Sequence, residues 1–233
     1  MDANPLWAVA VKLEQSGHYR AAQKKARAAL SKADNPSERF RILTVLGSIH
    51  LSLNRPAQAE TFIIDTLSTP DLPLKQRRDA LVLRGRAEGK LDKLNAAAAS
   101  YGEARRCIPE ETVSGDILRE EFDLYYGTNE DSNKNLVDIV RKWTPLERLA
   151  WMTWNYSEDN SQHETFRWAC GTSNATDFMV EAYSVVIERL DNFNAGAPIR
   201  YELALSHRNV RNDLEATRAT FSAILDSSAT HDY

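Results

Sequence analysis

The feature that most constrains this chain is that it repeats itself. Leu6, Ala10 and Ala22 return as Leu43, Gly47 and Ala59, each 37 residues later, and these return as Leu81, Gly85 and Ala97, each 38 residues later. A fixed period of this size marks a unit that buries its apolar face only by stacking on its neighbours. Each unit reads as a pair of helices. Leu6, Val9, Ala10 and Leu13 share one helical face, and Ala22, Ala26, Ala29 and Leu30 make the next. Gly17-His-Tyr between them leaves room only for a tight turn joining antiparallel neighbours. Glycine inside a helix costs about 1 kcal/mol against alanine, so its return at 47 and 85 predicts two helices in close approach.

Alternating strand patterns are absent, and the second half stays helical without the clean period. Apolar spacing predicts helices over 111–126 and 133–143, joined by the polar run Gly127-Thr-Asn-Glu-Asp-Ser. Thr144-Pro-Leu-Glu147 has the form of a capping box with Pro at the first helical position. Further helices are expected from Ser161, bounded by Gly171, and over Asp177–Leu190 after a Thr176 cap, until Asn194-Ala-Gly-Ala-Pro198 breaks the pattern. How the helices between 144 and 192 pair is left open by the sequence.

The first half resembles the tetratricopeptide repeat. The third unit, with Leu81, Gly85, Ala97, Tyr101, Ala104 and Pro109, carries the pattern most fully; the second has Leu43, Leu46, Gly47, Ala59 and Leu67, and the first Leu6, Ala10, Tyr19, Ala22, Ala29 and Leu30. Leu203, Ala204, Ala216 and Ala223 take similar positions near the end. The resemblance implies an all-α fold of antiparallel helical hairpins stacked into a right-handed superhelical solenoid. Residues 1–109 then hold repeats one to three, and residues 110–233 continue the same solenoid as degenerate hairpins, with a last pair near 198–227. Units of 37 and 38 residues exceed the family's 34, so loops carry the excess. The short polar tail after Leu225 supplies no separate solvating helix of the kind that ends most arrays, which leaves a longer parent chain open.

The function implied is protein binding. In such arrays the first helix of each hairpin lines a concave groove. The matching positions are Trp7 and Val11 in the first unit, Thr44, Val45 and Ser48 in the second, and Val82, Leu83, Arg86 and Lys90 in the third. That surface is apolar at its floor and basic at the third unit, which suits a peptide or helical segment with apolar anchors and an acidic element. The family's carboxylate clamp is not matched, because Trp7, Val11, Thr44 and Ser48 stand where its asparagines would be. The expectation is an adaptor or scaffold; the alternative is a regulatory or sensor repeat segment of a larger multidomain protein, such as a receptor-like ATPase.

No catalytic residues, metal or cofactor are expected. Asp131-Ser-Asn-Lys-Asn135 imitates the start of a calcium loop, but Leu136 and Lys142 stand where Gly and a bidentate Glu are required. His163-Glu164 lacks the second histidine of a zinc-protease helix, and no phosphate-binding glycine loop or nucleophile elbow occurs. Cys107 and Cys170 have no nearby partner, which fits neither a disulfide framework nor a zinc knuckle and points to an intracellular compartment, cytoplasmic or nuclear. No run suits a membrane span. Trp143, Trp151, Trp154 and Trp168 crowd one stretch with Tyr156 and Phe166, as core or inter-repeat contacts do. Lys75, Arg77, Arg78, Arg84, Arg86 and Lys90 load one helix with positive charge. Nucleic acid is nevertheless not the expected partner, because residues 110–233 hold 11 basic against 22 acidic residues and would repel a polyanion. Residues 1–109 hold 18 basic against 11 acidic.

Overall fold

The computed structural model describes residues 5–107, 109, 113–126, 130–155, 161–188, 200–201, 203–205, 207–208 and 213–228. Every element among them is a helix, and the chain divides into two compact units, 1–112 and 113–233.

The first unit holds α1 (Pro5–Gln15), α2 (Tyr19–Leu30), α3 (Pro36–Ser52), α4 (Pro56–Leu67), α5 (Leu74–Lys90) and α6 (Leu94–Arg106). Local chemistry opens several of them. Asn35 caps α3 by accepting the Glu38 N–H at 2.9 Å, and Pro36 and Pro56 occupy first-turn positions where a missing N–H costs nothing. The helices pack as α1–α2, α3–α4 and α5–α6; α2 then lies on α3 and α4 on α5, and α1 meets α3 as α3 meets α5.

One turn recurs in all three hairpins. Gly17, Asn54 and Asp92 adopt left-handed backbone, with φ of 76°, 54° and 59°. The next residue's N–H then donates to a carbonyl five residues back: His18 to Leu13 at 2.8 Å, Arg55 to His50 at 2.8 Å and Lys93 to Glu88 at 2.9 Å. This is the helix-ending arrangement that a left-handed residue makes possible. The same residue starts the following helix, since its carbonyl accepts from Ala22 (3.0 Å), Ala59 (3.1 Å) and Ala97 (3.0 Å). Those three alanines are fully buried, because a larger side chain at the first turn would strike the helix just ended.

The glycine expectation acquires a partner. A methyl group placed on Gly47 would lie 2.9 Å from Ile63 Cγ1, and one on Gly85 would lie 2.8–3.0 Å from three ring carbons of Tyr101. Ile63 and Tyr101 are themselves 38 residues apart, at one register of the second helix. In the first hairpin that register holds Ala26, opposite Ala10, and all of these residues are buried. The crossing is therefore filled from one side or the other: Ala with Ala, Gly with Ile, Gly with Tyr.

The second unit holds α7 (Gly115–Asp123), α8 (Glu130–Lys142), α9 (Pro145–Asn155), α10 (Ser161–Thr172), α11 (Thr176–Glu188) and α12 (Leu214–Ser228). α7 packs on α9, α9 on α11 and α8 on α10, and the sequential neighbours α7–α8, α9–α10 and α10–α11 are also in contact. The capping box forms as expected, with Glu147 N–H donating to Thr144 Oγ1 at 3.2 Å and Thr144 N–H to Glu147 Oε2 at 2.7 Å.

Three boundaries and one buried position differ from expectation. α7 ends at Asp123 rather than 126, and α8 begins at Glu130, inside the run expected to be a connection. Asp131 favours that early start, because an acidic side chain suits the first turn of a helix. α10 runs through Gly171; the stop is Asn174 at φ 52°, where the Ala175 N–H reaches the Cys170 carbonyl at 2.8 Å. Ala223, expected at a packed position, is exposed, although Leu203 and Ala204 are buried. The expected break at 194–198 and the tail beyond Ser228 lie outside the described residues.

The core of the second unit is aromatic. Trp151 meets Phe122 (ring centres 5.0 Å), Trp143 (5.5 Å) and Phe166 (5.7 Å), and Phe166 meets Tyr183 (6.1 Å). Both buried indoles have acceptors: Trp143 donates to Glu121 at 2.9 Å, and Trp151 to Gln162 at 3.1 Å. The crowded tryptophans do not all serve this core, because Trp168 is 50% exposed. The side chain of Trp154 and the whole of Tyr156 lie outside the described residues.

Gly→Ala inside a helix ordinarily stabilises. Gly85→Ala is expected to reverse that sign and destabilise by about 1–3 kcal/mol through overpacking against the Tyr101 ring. Gly171→Ala meets nothing within 4 Å and is expected to gain up to about 1 kcal/mol. Urea denaturation of the two variants checks both signs.

Candidate protein-binding surface

The residues expected to line a groove sit on α1, α3 and α5, and the structure treats them unequally. Trp7 and Val45 are half-buried against one apolar cluster built from Ala10, Ala22, Ala26, Ala29, Ile42, Leu46 and Ile49. The Trp7 indole N–H is itself enclosed and has no acceptor. Leu83 packs on the next cluster, around Phe40, Ala59, Ile63, Ala80 and Ala87. Val11 and Val82 are half-buried. The hydroxyls are engaged within the fold: Thr44 donates to the Phe40 carbonyl at 3.0 Å, and Ser48 to Glu14 Oε1 at 2.5 Å, tying α3 to α1. Arg86 and Lys90 stand exposed on α5. Trp7 and Val45 thus come together as part of a core, whereas Arg86 and Lys90 offer charge to solvent.

The basic helix is partly compensated. Arg78 pairs with Asp79 at 2.6 Å, and Arg84 pairs with Glu88 at 2.8 Å. Lys75, Arg77, Arg86 and Lys90 are exposed. A further ion pair, Lys93 to Glu60 at 2.9 Å, bridges the third hairpin to the second.

Two buried polar side chains were not anticipated. His50 and Glu88, both 1% exposed, occupy the register held by Leu13 in the first hairpin. The ring of His50 lies 5.1 Å from that of Phe62, and its Nε2 is 2.8 Å from Gln23 Nε2, where the ring's tautomer and the amide's orientation decide which group donates. Glu88 accepts from Ser100 at 2.6 Å as well as from Arg84. A polar residue at a register otherwise filled by leucine was the available signal; its partners, 12 and 27 residues away, were not readable.

Residues 131–135, the calcium-loop imitation, lie within α8 and form no loop. Among the described residues no three His, Cys, Asp or Glu side chains gather as metal ligands, and no helix is long and apolar enough to cross a membrane. Burial pushes the Cys170 thiol up to about 12, and burial also raises the half-exposed Cys107, with Arg77 acting against the rise.

No protein-family model matches the chain, and no curated protein matches it in sequence.

Thiol labelling follows from these environments. At pH 8 the native protein is expected to react slowly at Cys107 alone, with Cys170 reacting only in denaturant. Mass spectrometry of the labelled peptides distinguishes the two.

Proposed function

We propose that the protein is an interaction scaffold, not an enzyme, and that its first unit holds a peptide or helical segment of a partner across α1, α3 and α5. In this reading the hairpins belong to a right-handed superhelical array of tetratricopeptide type, and α5 supplies the cationic end of the groove. The observation that carries it is the recurrent turn at Gly17, Asn54 and Asp92 together with the contacts of α1 with α3 and α3 with α5. A repeated turn gives successive hairpins one geometry, and the contacts set their first helices side by side, as a groove requires. The partner segment carries apolar side chains toward α1 and acidic ones toward Arg86 and Lys90. Its helix or strand character does not alter the charge requirement.

Arg86→Glu with Lys90→Glu is the informative variant, because both side chains are exposed while Trp7 supports the core. Capture of the protein's partners from a lysate, quantified by mass spectrometry, is expected to fall about tenfold or more with an unchanged melting temperature. Undiminished capture by the folded variant would remove the groove assignment.

A further inference from the structure

The joint between the first and second hairpins holds a titratable side chain, His50, placed where a charge has no support. Its ring is enclosed, Nε2 engages Gln23 of α2, the ring lies 5.1 Å from that of Phe62 on α4 at a 45° tilt, and Nδ1 has no partner. His50 itself belongs to α3, so one side chain joins three helices and both hairpins. The charged groups acting on it are cations: Arg27 from α2 and Arg55 from the turn before α4. On α4, Glu60 is held by Lys93 and Asp65 is exposed, and the carboxylates of α1 and α5 are engaged with other groups. Glu14 of α1 receives the Ser48 hydroxyl, and on α5 Glu88 is held by Arg84 and Ser100, and Asp79 by Arg78.

We propose that His50 is an acid-sensitive latch whose protonation releases the first hairpin from the second while the third hairpin stays closed. An imidazolium here is penalised in either tautomer: where Nε2 accepts from Gln23, protonation sets two donors face to face, and where Nε2 donates, it adds a buried Nδ1–H with no acceptor. The charge would also face two guanidinium groups, and these costs are relieved when the joint opens to water. Burial first, then Arg27 and Arg55, hold the ring's proton affinity below the ordinary histidine value of 6.5. The opened state therefore takes up the proton first. Stability contributed by the neutral ring is complete above about pH 6.5 and is lost as pH falls toward the folded-state value. Trp7 and Val45 pack on the cluster that spans this joint, so opening would also separate the first two rows of the proposed groove. The latch itself does not depend on that functional reading.

Hydrogen exchange of the full chain, followed by mass spectrometry and corrected for intrinsic rates, tests the latch without any ligand. Opening constants for α2 and α3 amides are expected to rise as pH falls from 6.5 toward the folded-state value, approaching about tenfold per pH unit, the signature of one proton, while those of α6 stay level. His50→Leu, which restores the first hairpin's residue at this register, is expected to abolish the dependence. Should that variant fail to fold, Arg27→Gln serves instead: it removes a cation facing the ring and is expected to shrink the rise at pH 5 several-fold. A flat profile in the wild type, an equal rise in α6, or an unchanged slope in His50→Leu would overturn the proposal.

Discussion

The Tyr101 ring lies against the backbone of α5 because residue 85 has no side chain, and the third hairpin is arranged around that contact. Three ring carbons stand within 3.0 Å of the place a Cβ would take. The second hairpin meets the same requirement with Gly47 and Ile63, and the first with Ala10 and Ala26. The crossing fixes the spacing of the two helices, and the turn at Gly17, Asn54 or Asp92 fixes their connection. With both set, the buried alanines at 22, 59 and 97 fall into position, and the polar residues His50 and Glu88 arrive at a register that faces the neighbouring helices.

This explains what the sequence could and could not reveal. Small residues at a fixed spacing are visible without a fold, so Gly47, Gly85 and the alanines were readable as packing positions. Their large counterparts, Ile63 and Tyr101, were less so, because any bulky apolar residue fits a helical stripe. Of the three turn residues only Gly17 drew notice. Asn54 and Asp92 adopt left-handed backbone without a glycine's signal, as Asn and Asp can. The surface assigned to a partner was legible as a set of positions, but not in its divided character. Trp7 and Val45 contribute to a core, whereas Arg86 and Lys90 are exposed.

The second unit reaches stability by another route. Large rings centred on Trp151 replace the small-residue crossings, and each buried indole has its own acceptor. Gln162, which accepts from Trp151, also donates to Asp123 of α7 at 2.8 Å. Arg141 and Arg148 lie 5.0 Å and 5.6 Å from the centre of the Phe178 ring, within reach of a cation–π attraction. A core of large rings filled from several helices does not require the strict spacing of a repeated unit. That accounts for the lost period after residue 110, although α10 and α11 keep the same helix-ending turn at Asn174.

The close approach of residue 85 to the Tyr101 ring is the contact on which the account of the first unit rests. An aromatic ring at this distance shifts the signals of protons beneath it. In the proton NMR spectrum of the native protein, the Gly85 Hα resonances are expected well upfield of ordinary helical glycine, with strong nuclear Overhauser effects to the Tyr101 ring. Gly85 Hα signals at ordinary positions, with no such effects in the folded protein, would contradict it.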